Sequence, residues 1–351
     1  MAEIGLLISL NLAVAVALKP AAGWAADRLG VKRTLVAAIW LRSLVTFGLV
    51  FAVLPWHLFA IRAVHGVSIA LRDPSVDVLI AEHGGKRAVA SAFAWYQTAK
   101  SAAGALGKAL AGVLITLTSG RYSMVFLVAL VLSMAPALVV GRYVKEPVIE
   151  HSPPPETDGE PAPLEVPPRL LPFVGLAALV AVTAEMLHGL LPILAVEYAG
   201  LSEAETGMLY LVSTVTVIVC GPVFGWLSDH VSRRLVLGVR SVANVGSSVL
   251  FLFVPNPPGM LAGKALDDAG KAAFRPAWGS VMAELSGHRP GRRARTMSQL
   301  SMGEDVGAMI GPILAGLLWG AWGVGALFGV RIILAVATEV YAGTVTRRLG
   351  R

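Results

Sequence analysis

Charge is what this sequence has least of. Asp, Glu, Lys and Arg make up 15% of its 351 residues and apolar residues 56%, where a soluble domain carries about 25% charged residues. That deficit excludes an ordinary soluble globular chain. Cysteine is nearly absent: Cys220 stands alone in an apolar run, which excludes an intrachain disulfide and a cysteine metal site and reads as a small buried hydrophobe. Period-two alternation is lacking, which argues against a membrane barrel. No G-x-x-x-x-G-K-[ST] phosphate loop occurs, so no nucleotide motif is present to supply energy. No basic n-region precedes the first apolar run, so that run is expected to stay in the mature protein.

What the sequence has is long apolar runs. Eleven of them lie at 4–26, 34–54, 57–80, 90–118, 122–142, 170–195, 205–228, 235–254, 259–283, 297–319 and 322–346. Each is close to the 20 or so residues that cross a hydrocarbon core of roughly 30 Å as a helix. The chain therefore reads as an all-α, multi-pass membrane protein embedded in a lipid bilayer. Most connections are short. The exception is 143–169, a polar, Pro-rich stretch with Pro153, Pro154, Pro155, Pro161, Pro163, Pro167 and Pro168, which reads as a linker. It divides the chain into a bundle of five spans at 1–142 and one of six at 170–351.

The basic residues sort themselves by loop. Alternate connections hold Arg28, Lys32 and Arg33; Lys86 and Arg87; Arg142, Lys145 and Arg169; Arg233 and Arg234; Arg289, Arg292, Arg293 and Arg295; and Arg347, Arg348 and Arg351. The opposite connections hold Arg121 alone. The bias of cytoplasmic loops toward Lys and Arg then places the linker and the C-terminus in the cytoplasm, with a bacterial inner membrane as the expected setting. The net charge of +7 is thus a topology signal, and no nucleic-acid partner is expected.

The two halves repeat each other at one offset. Ala2-Glu3-Ile4-Gly5 falls on Ala204-Glu205-Thr206-Gly207, Pro20 on Pro222, Gly23-Trp24 on Gly225-Trp226, Asp27 on Asp229, Arg62 on Lys264, and Ala81-Glu82 on Ala283-Glu284, every pair 202 apart. Beyond the next loop the offset becomes 204, where Ala111-Gly112 meets Ala315-Gly316. Parallel repeats of this kind build many transporters. The run 170–195 has no partner in the first half, so a twelfth helix upstream of Met1 is expected in the full fold.

Gly23-Trp24-Ala25-Ala26-Asp27-Arg28-Leu29-Gly30-Val31-Lys32-Arg33 resembles the loop motif of the major facilitator transporters, commonly written G-x-L-A-D-R-x-G-R-K. Its second-half partner runs from Gly225 through Asp229 to Arg233 and Arg234. Arg62-x-x-His65-Gly66 resembles the second motif of that family, R-x-x-Q-G. Gly104-x-x-Gly107-Lys108-x-x-Ala111-Gly112 resembles its antiporter motif, which usually has Gly-Pro where this chain has Gly107-Lys108. The resemblance implies two pseudo-symmetric helical bundles that rock about a central site. It also implies a latch at the loop motif, comprising Gly23, Asp27, Arg28, Gly30, Lys32, Arg33, Asp229, Arg233 and Arg234, that holds one side closed and opens in the other state. Physically, Asp27 at a helix end can bind the orphan N–H groups of a neighbouring helix N-terminus. It can equally be a helix cap inside a topology-setting basic loop.

Ionisable groups at membrane depth are costly and are functional candidates. On 259–283, Lys264, Asp267, Asp268, Lys271 and Arg275 fall within an arc of about 100° at helical spacing. The spacing Lys264–Asp268 and Asp267–Lys271 allows i,i+4 pairing; a substrate or proton role is the other reading, and the two are compatible. On 57–80, Arg62 and His65 align with Lys264 and Asp267, and His65 is either a proton relay or a satisfied interior residue. Glu185 with His188, and the adjacent Glu304 and Asp305, complete the candidate pathway. The deep bases of the first half, Lys19, Arg42, Arg62, Lys100 and Lys108, face few acids there; they pair with the second half or meet an anionic substrate.

These features point to a secondary transporter of a small solute, proton-coupled, with export ahead of anion import. A membrane-embedded enzyme would need a nucleophile–base pair or metal cluster at depth, and neither shows in the sequence. A non-transporting remnant of the family is the remaining alternative. No cofactor or metal is expected, and the chain is expected to act as a monomer.

Overall fold

The computed structural model of the chain describes residues 2–85, 87–146, 169–287 and 290–346, without the side chains of residues 2–9, 234, 290 and 346. Met1, Lys86, residues 147–168 of the expected linker, Arg289, Arg347, Arg348 and Arg351 lie outside the described residues. Every regular element among the described residues is helical. In chain order they are α1 (Ala2–Leu29), α2 (Val31–Val50), α3 (Pro55–Gly84), α4 (Val89–Leu117), α5 (Tyr122–Tyr143), α6 (Leu171–Glu185), the short α7 (Leu191–Ile193), α8 (Glu203–His230), α9 (Arg233–Phe253), α10 (Pro257–Gly287) and α11 (Arg293–Thr346).

The expected spans fall on these helices with two differences. The run 170–195, expected as one helix, is broken. Helix α6 ends at Glu185, Gly189 takes a positive φ of 80°, and Leu194–Tyr198 forms a π-helical turn. Glycine permits that φ, and Pro192 brings no N–H to continue the ladder. The runs 297–319 and 322–346 form the single element α11, 54 residues long, but Gly323 inside it is non-helical at φ 80° and ψ 179°. That glycine separates two crossings.

Among the described residues, six helices are long and apolar enough to cross a membrane, the 53-residue stretch Arg293–Val345 among them. Helices α3 and α10 have 30 and 31 residues, yet they carry the charge stripes and so fall outside that set. Two turns are set by single residues. Gly30, at φ 97°, is the one residue between α1 and α2. Ser202 opens α8 with a reciprocal cap, its hydroxyl accepting from Glu205 N–H while the Glu205 carboxylate accepts from Ser202 N–H, which satisfies two otherwise orphaned donors.

The chain forms two compact units. The first comprises Met1–Glu82, Gly104–Val166 and Met282–Ser301. Its packing relies on small residues: Ala15 and Ala22 of α1 bury against Ala70 of α3. Gly66 of α3 lies so close to α1 that a Cβ there would stand 2.5 Å from the Asn11 carbonyl oxygen. Helix α2 runs along α5, with Ser133 donating to the Ser43 hydroxyl at 2.9 Å. Without a hydrophobic drive between helices in lipid, such close approach supplies the van der Waals contact that holds them.

The second unit comprises His83–Ala103, Pro167–Val281 and Met302–Arg351. A ladder of Gly303, Gly307 and Gly311 seats α11 on α6: a Cβ at these positions would stand 2.3, 2.3 and 2.6 Å from the carbonyl oxygens of Val174, Ala178 and Val182. Beside it, Met186, Leu194, Leu209, Phe251, Met260, Leu327 and Phe328 belong to one apolar cluster of this unit. Phe251 and Phe328 stack there at 5.7 Å.

Candidate functional site

Within the first unit, Asp27 at the end of α1 accepts hydrogen bonds from the backbone N–H groups of Ala294 (2.8 Å) and Arg295 (3.0 Å). Those are two of the first N–H groups of α11, which have no partner within their own helix and carry the positive end of its dipole. Gly23, one turn before, makes the approach possible; a Cβ there would stand 2.7 Å from Arg295 Cα and 2.8 Å from Ser298 Cβ. Asp27 lies beyond the end of the apolar span 4–26. Burial pushes its carboxyl up from 3.8 to about 6, against the two backbone hydrogen bonds and the charges of Arg295 and Arg292, which pull it down. Arg28 stacks its guanidinium on Trp24 at 4.9 Å.

The second unit repeats this arrangement. Asp229 at the end of α8 accepts from the N–H groups of Ala90 (2.9 Å) and Ser91 (2.8 Å), which open α4. Gly225 lies against α4, where a Cβ would stand 2.5 Å from Ala94 Cβ. His230 stacks on Trp226 at 5.1 Å, as Arg28 does on Trp24. The offset of 202 carries Asp27 onto Asp229, and the offset of 204 carries Ala90 and Ser91 onto Ala294 and Arg295. Each contact is therefore the image of the other under the repeat.

The remaining loop-motif residues behave differently. The backbone N–H of Lys32 donates to the Glu146 carboxylate at 3.2 Å, and that carboxylate also fills the space beside Gly30. Glu146 caps α2, a role that sequence reading missed because it lies far along the chain. Arg33 is exposed and forms no ion pair with the described residues. Arg233 opens α9, and the side chain of Arg234 lies outside the description. Glu82 pairs with Arg293 at the start of α11.

The stripe on α10 is paired, with Lys264, Asp267 and Asp268 buried and Lys271 and Arg275 partly exposed. Lys264 meets Asp268 at 2.7 Å and Lys271 meets Asp267 at 3.0 Å, both at i,i+4. Asp267 also accepts from Arg331 of α11, which is 0% exposed. Arg331 donates further to the Thr183 carbonyl at 3.0 Å and to Ser248 Oγ at 2.9 Å. A second buried arginine, Arg240, donates to Thr183 Oγ1 at 3.1 Å and to the Val180 carbonyl, and lies 5.3 Å from the Phe274 ring. Thr183 stands in the last turn of α6, whose carbonyls lack intrahelical partners. The break after Glu185 thus supplies an acceptor for the buried cation. Buried charges persist where pairing and hydrogen bonds satisfy them, and this cluster meets that condition.

Elsewhere in the second unit, Arg275 donates to both Glu304 oxygens at 2.9 and 2.7 Å, whereas the adjacent Asp305 takes no part in that pair. Glu185 and His188 lie 3.3 Å apart, with His188 well exposed. Arg240 and Arg331 lie on α9 and α11. Their position on two other helices hid the network from spacing arguments.

Helix α3 in the first unit is the counterpart of α10, with other partners. Arg42 of α2 contacts His65 Nε2. Arg72 bonds Asp73 at 2.7 Å, and Lys19, 1% exposed, lies 3.7 Å from the same carboxylate. Arg62 has no carboxylate partner among the described residues. No group of three or more His, Cys, Asp or Glu side chains able to hold a metal ion occurs among the described residues.

Solved structures resemble this chain over nearly its whole length. The human organic anion transporter MFSD10 (TETRAN) has a TM-score of 0.80 at 16% identity, covering 96% of this chain and 83% of that one. A bacterial homologue of the iron transporter ferroportin, in an outward-facing state, gives 0.76 at 18%, covering 99% and 91%. The transporter FucP in its outward conformation gives 0.75 at 14%, covering 97% and 89%. A search of curated protein sequences finds no match. The family model described as Major Facilitator Superfamily matches residues 1–186 and 173–345. With its helical fold, its internal repeat and its paired loop motifs, this integral membrane chain belongs to the Major Facilitator Superfamily.

Proposed function

We propose that the chain moves a small solute across the lipid bilayer by alternating access, as a monomeric secondary transporter. The observation that carries this reading is the repeated contact of Asp27 with α11 and Asp229 with α4. A carboxylate docked on a helix N-terminus is a contact that can break and re-form as a unit, which a two-state element requires. Asp27, Gly23 and Arg28, with Asp229, Arg233 and Arg234 in the other half, form the latch in this reading. The basic loops favour a cytoplasmic C-terminus in a bacterial inner membrane.

Coupling to protons runs through the α10 stripe. Asp267 and Asp268 are held by Lys271, Arg331 and Lys264, so a proton arriving on either carboxylate would release a cation to another partner. Lys264 and Asp268 are the sharper pair, since they meet directly at 2.7 Å. Glu185, Glu304 and Asp305 are further carboxylates on such a path, and antiport with export of the solute is the first reading. Import of a small anion is the second, favoured by the surplus of cations around Arg62 and His65. Flux in reconstituted vesicles with an imposed pH gradient tests the proposal. Lys264→Met/Asp268→Asn, which removes the pair and keeps charge balance, should fold and lose pH-driven flux. Unchanged pH-driven flux in that variant removes the coupling role; no flux of any tested solute by the unaltered chain removes transport itself.

A further inference from the structure

The first unit carries a charge imbalance in its apolar stretches. Lys19, Arg42, Arg62, Arg72 and Lys108 stand there against Asp73 and Asp77 as the only carboxylates. Asp73 is already engaged by Arg72 and Lys19. The second unit answers its cations at the equivalent positions: the counterpart of Lys264 is Arg62, but the counterpart of Asp268 is Gly66, and that of Asp267 is His65. Arg62 and Arg42 thus have no carboxylate partner among the described residues, and the charges of Arg62 and Arg72 act on both Arg42 and His65.

The Arg42–His65 contact fixes the state of the imidazole. A guanidinium offers donors and no acceptor, so His65 Nε2 must hold its lone pair toward Arg42 Nη1. His65 is thereby placed as an acceptor beside Arg42. Cations at membrane depth without a counter-charge are costly, and arginine side chains suit planar, multidentate recognition of carboxylate and phosphate.

We propose that Arg42 and Arg62, with His65 orienting Arg42, form a binding site in the first unit for a small oxyanion, a carboxylate- or phosphate-bearing solute. Arg72 and Lys19 hold Asp73 aside, so that this acid does not neutralise the site. The inference rests on the transport reading for its biological meaning, while the binding itself requires no flux.

The test uses the purified full chain in detergent, titrated with sodium benzoate or sodium phosphate against sodium chloride at matched ionic strength. Melting temperature and tryptophan fluorescence are read. At least one of the two oxyanions should give a saturable response that chloride lacks; benzoate alone assigns a carboxylate, phosphate alone a phosphoryl group. Arg62→Gln and Arg42→Gln should each weaken that response about thirtyfold or more. Arg62→Lys should retain part of it, and His65→Gln, which can still accept from Arg42, should hold more than His65→Leu. Variants are compared only where size-exclusion profiles match the unaltered chain, and Arg62→Lys serves where Arg62→Gln does not fold. Responses to both oxyanions no larger than to chloride, or glutamine variants that titrate like the unaltered chain, overturn the site. Vesicle flux of a neutral solute without anion titration leaves transport standing and removes this inference. Saturable titration without flux removes transport and leaves the site.

Discussion

Asp229 closes the first turn of α4 by accepting the N–H of Ser91 at 2.8 Å, as Asp27 does for Arg295 at 3.0 Å. Replacing either carboxylate by alanine leaves two helix-terminal N–H groups without an acceptor. Loss of such an acceptor costs about 0.5–2 kcal/mol. Asp27→Ala should lower the melting temperature and speed maleimide labelling of a Ser298→Cys reporter at the start of α11. Equal labelling with and without Asp27 would remove the latch contact. Because the Asp229 contact lies in the other unit, the stability losses of Asp27→Ala and Asp229→Ala should add.

The raised Asp27 carboxyl gives a direction with pH. Its value in this seat is about 6 against 3.8 in water, so the seated state binds the proton more tightly than an open one. The seat is therefore favoured in full below pH 3.8 and loses that advantage as pH rises through 6. Labelling of the Ser298→Cys reporter, divided by the same rate in an Asp27→Asn background, should rise between pH 4 and 7 and flatten above. A flat ratio throughout would contradict the burial of this carboxyl.

Glycine positions separate into two kinds. Gly307→Ala drives a methyl to 2.3 Å from the Ala178 carbonyl oxygen, whereas a Cβ at Gly107 meets nothing within 4 Å. Overpacking of the first kind costs about 1–3 kcal/mol, while an exposed helical Gly→Ala gains up to about 1 kcal/mol. Thermal unfolding in detergent should show Gly307→Ala destabilised and Gly107→Ala unchanged or stabilised.

Arg331 and Asp267 should behave as a buried couple. Arg331→Met alone leaves Asp267 with Lys271, and breaking a buried pair from one side costs about 3–5 kcal/mol. Asp267→Asn should cost a similar amount by stranding Arg331. The double variant should recover much of the loss, and a double-mutant cycle on thermal stability measures the coupling. Strict additivity would mean that the contact contributes little.

Much of this molecule is written in the order of its residues. Apolar length sets the spans, because a helix bonds its own backbone groups where the bilayer core offers no water. The 202-residue offset pairs Asp27 with Asp229, and the i,i+4 spacing on α10 puts Lys264 beside Asp268 and Asp267 beside Lys271. What binds those residues from afar was not legible. Ala90, Ser91, Ala294 and Arg295 act through backbone N–H groups, and a backbone donor leaves no mark on residue type. Arg331 reaches Asp267, and Glu146 caps α2, across separations that only folding closes. The break of α6 after Glu185 was hidden as well, since the apolar run continues through it; the tertiary structure uses the freed Thr183 carbonyl to hold Arg331. Residue order is enough to mark the segments long and apolar enough to cross a bilayer and to show which of them repeat. The partners of the buried charges come from folding alone, because they are chosen by proximity between helices and not by position along one.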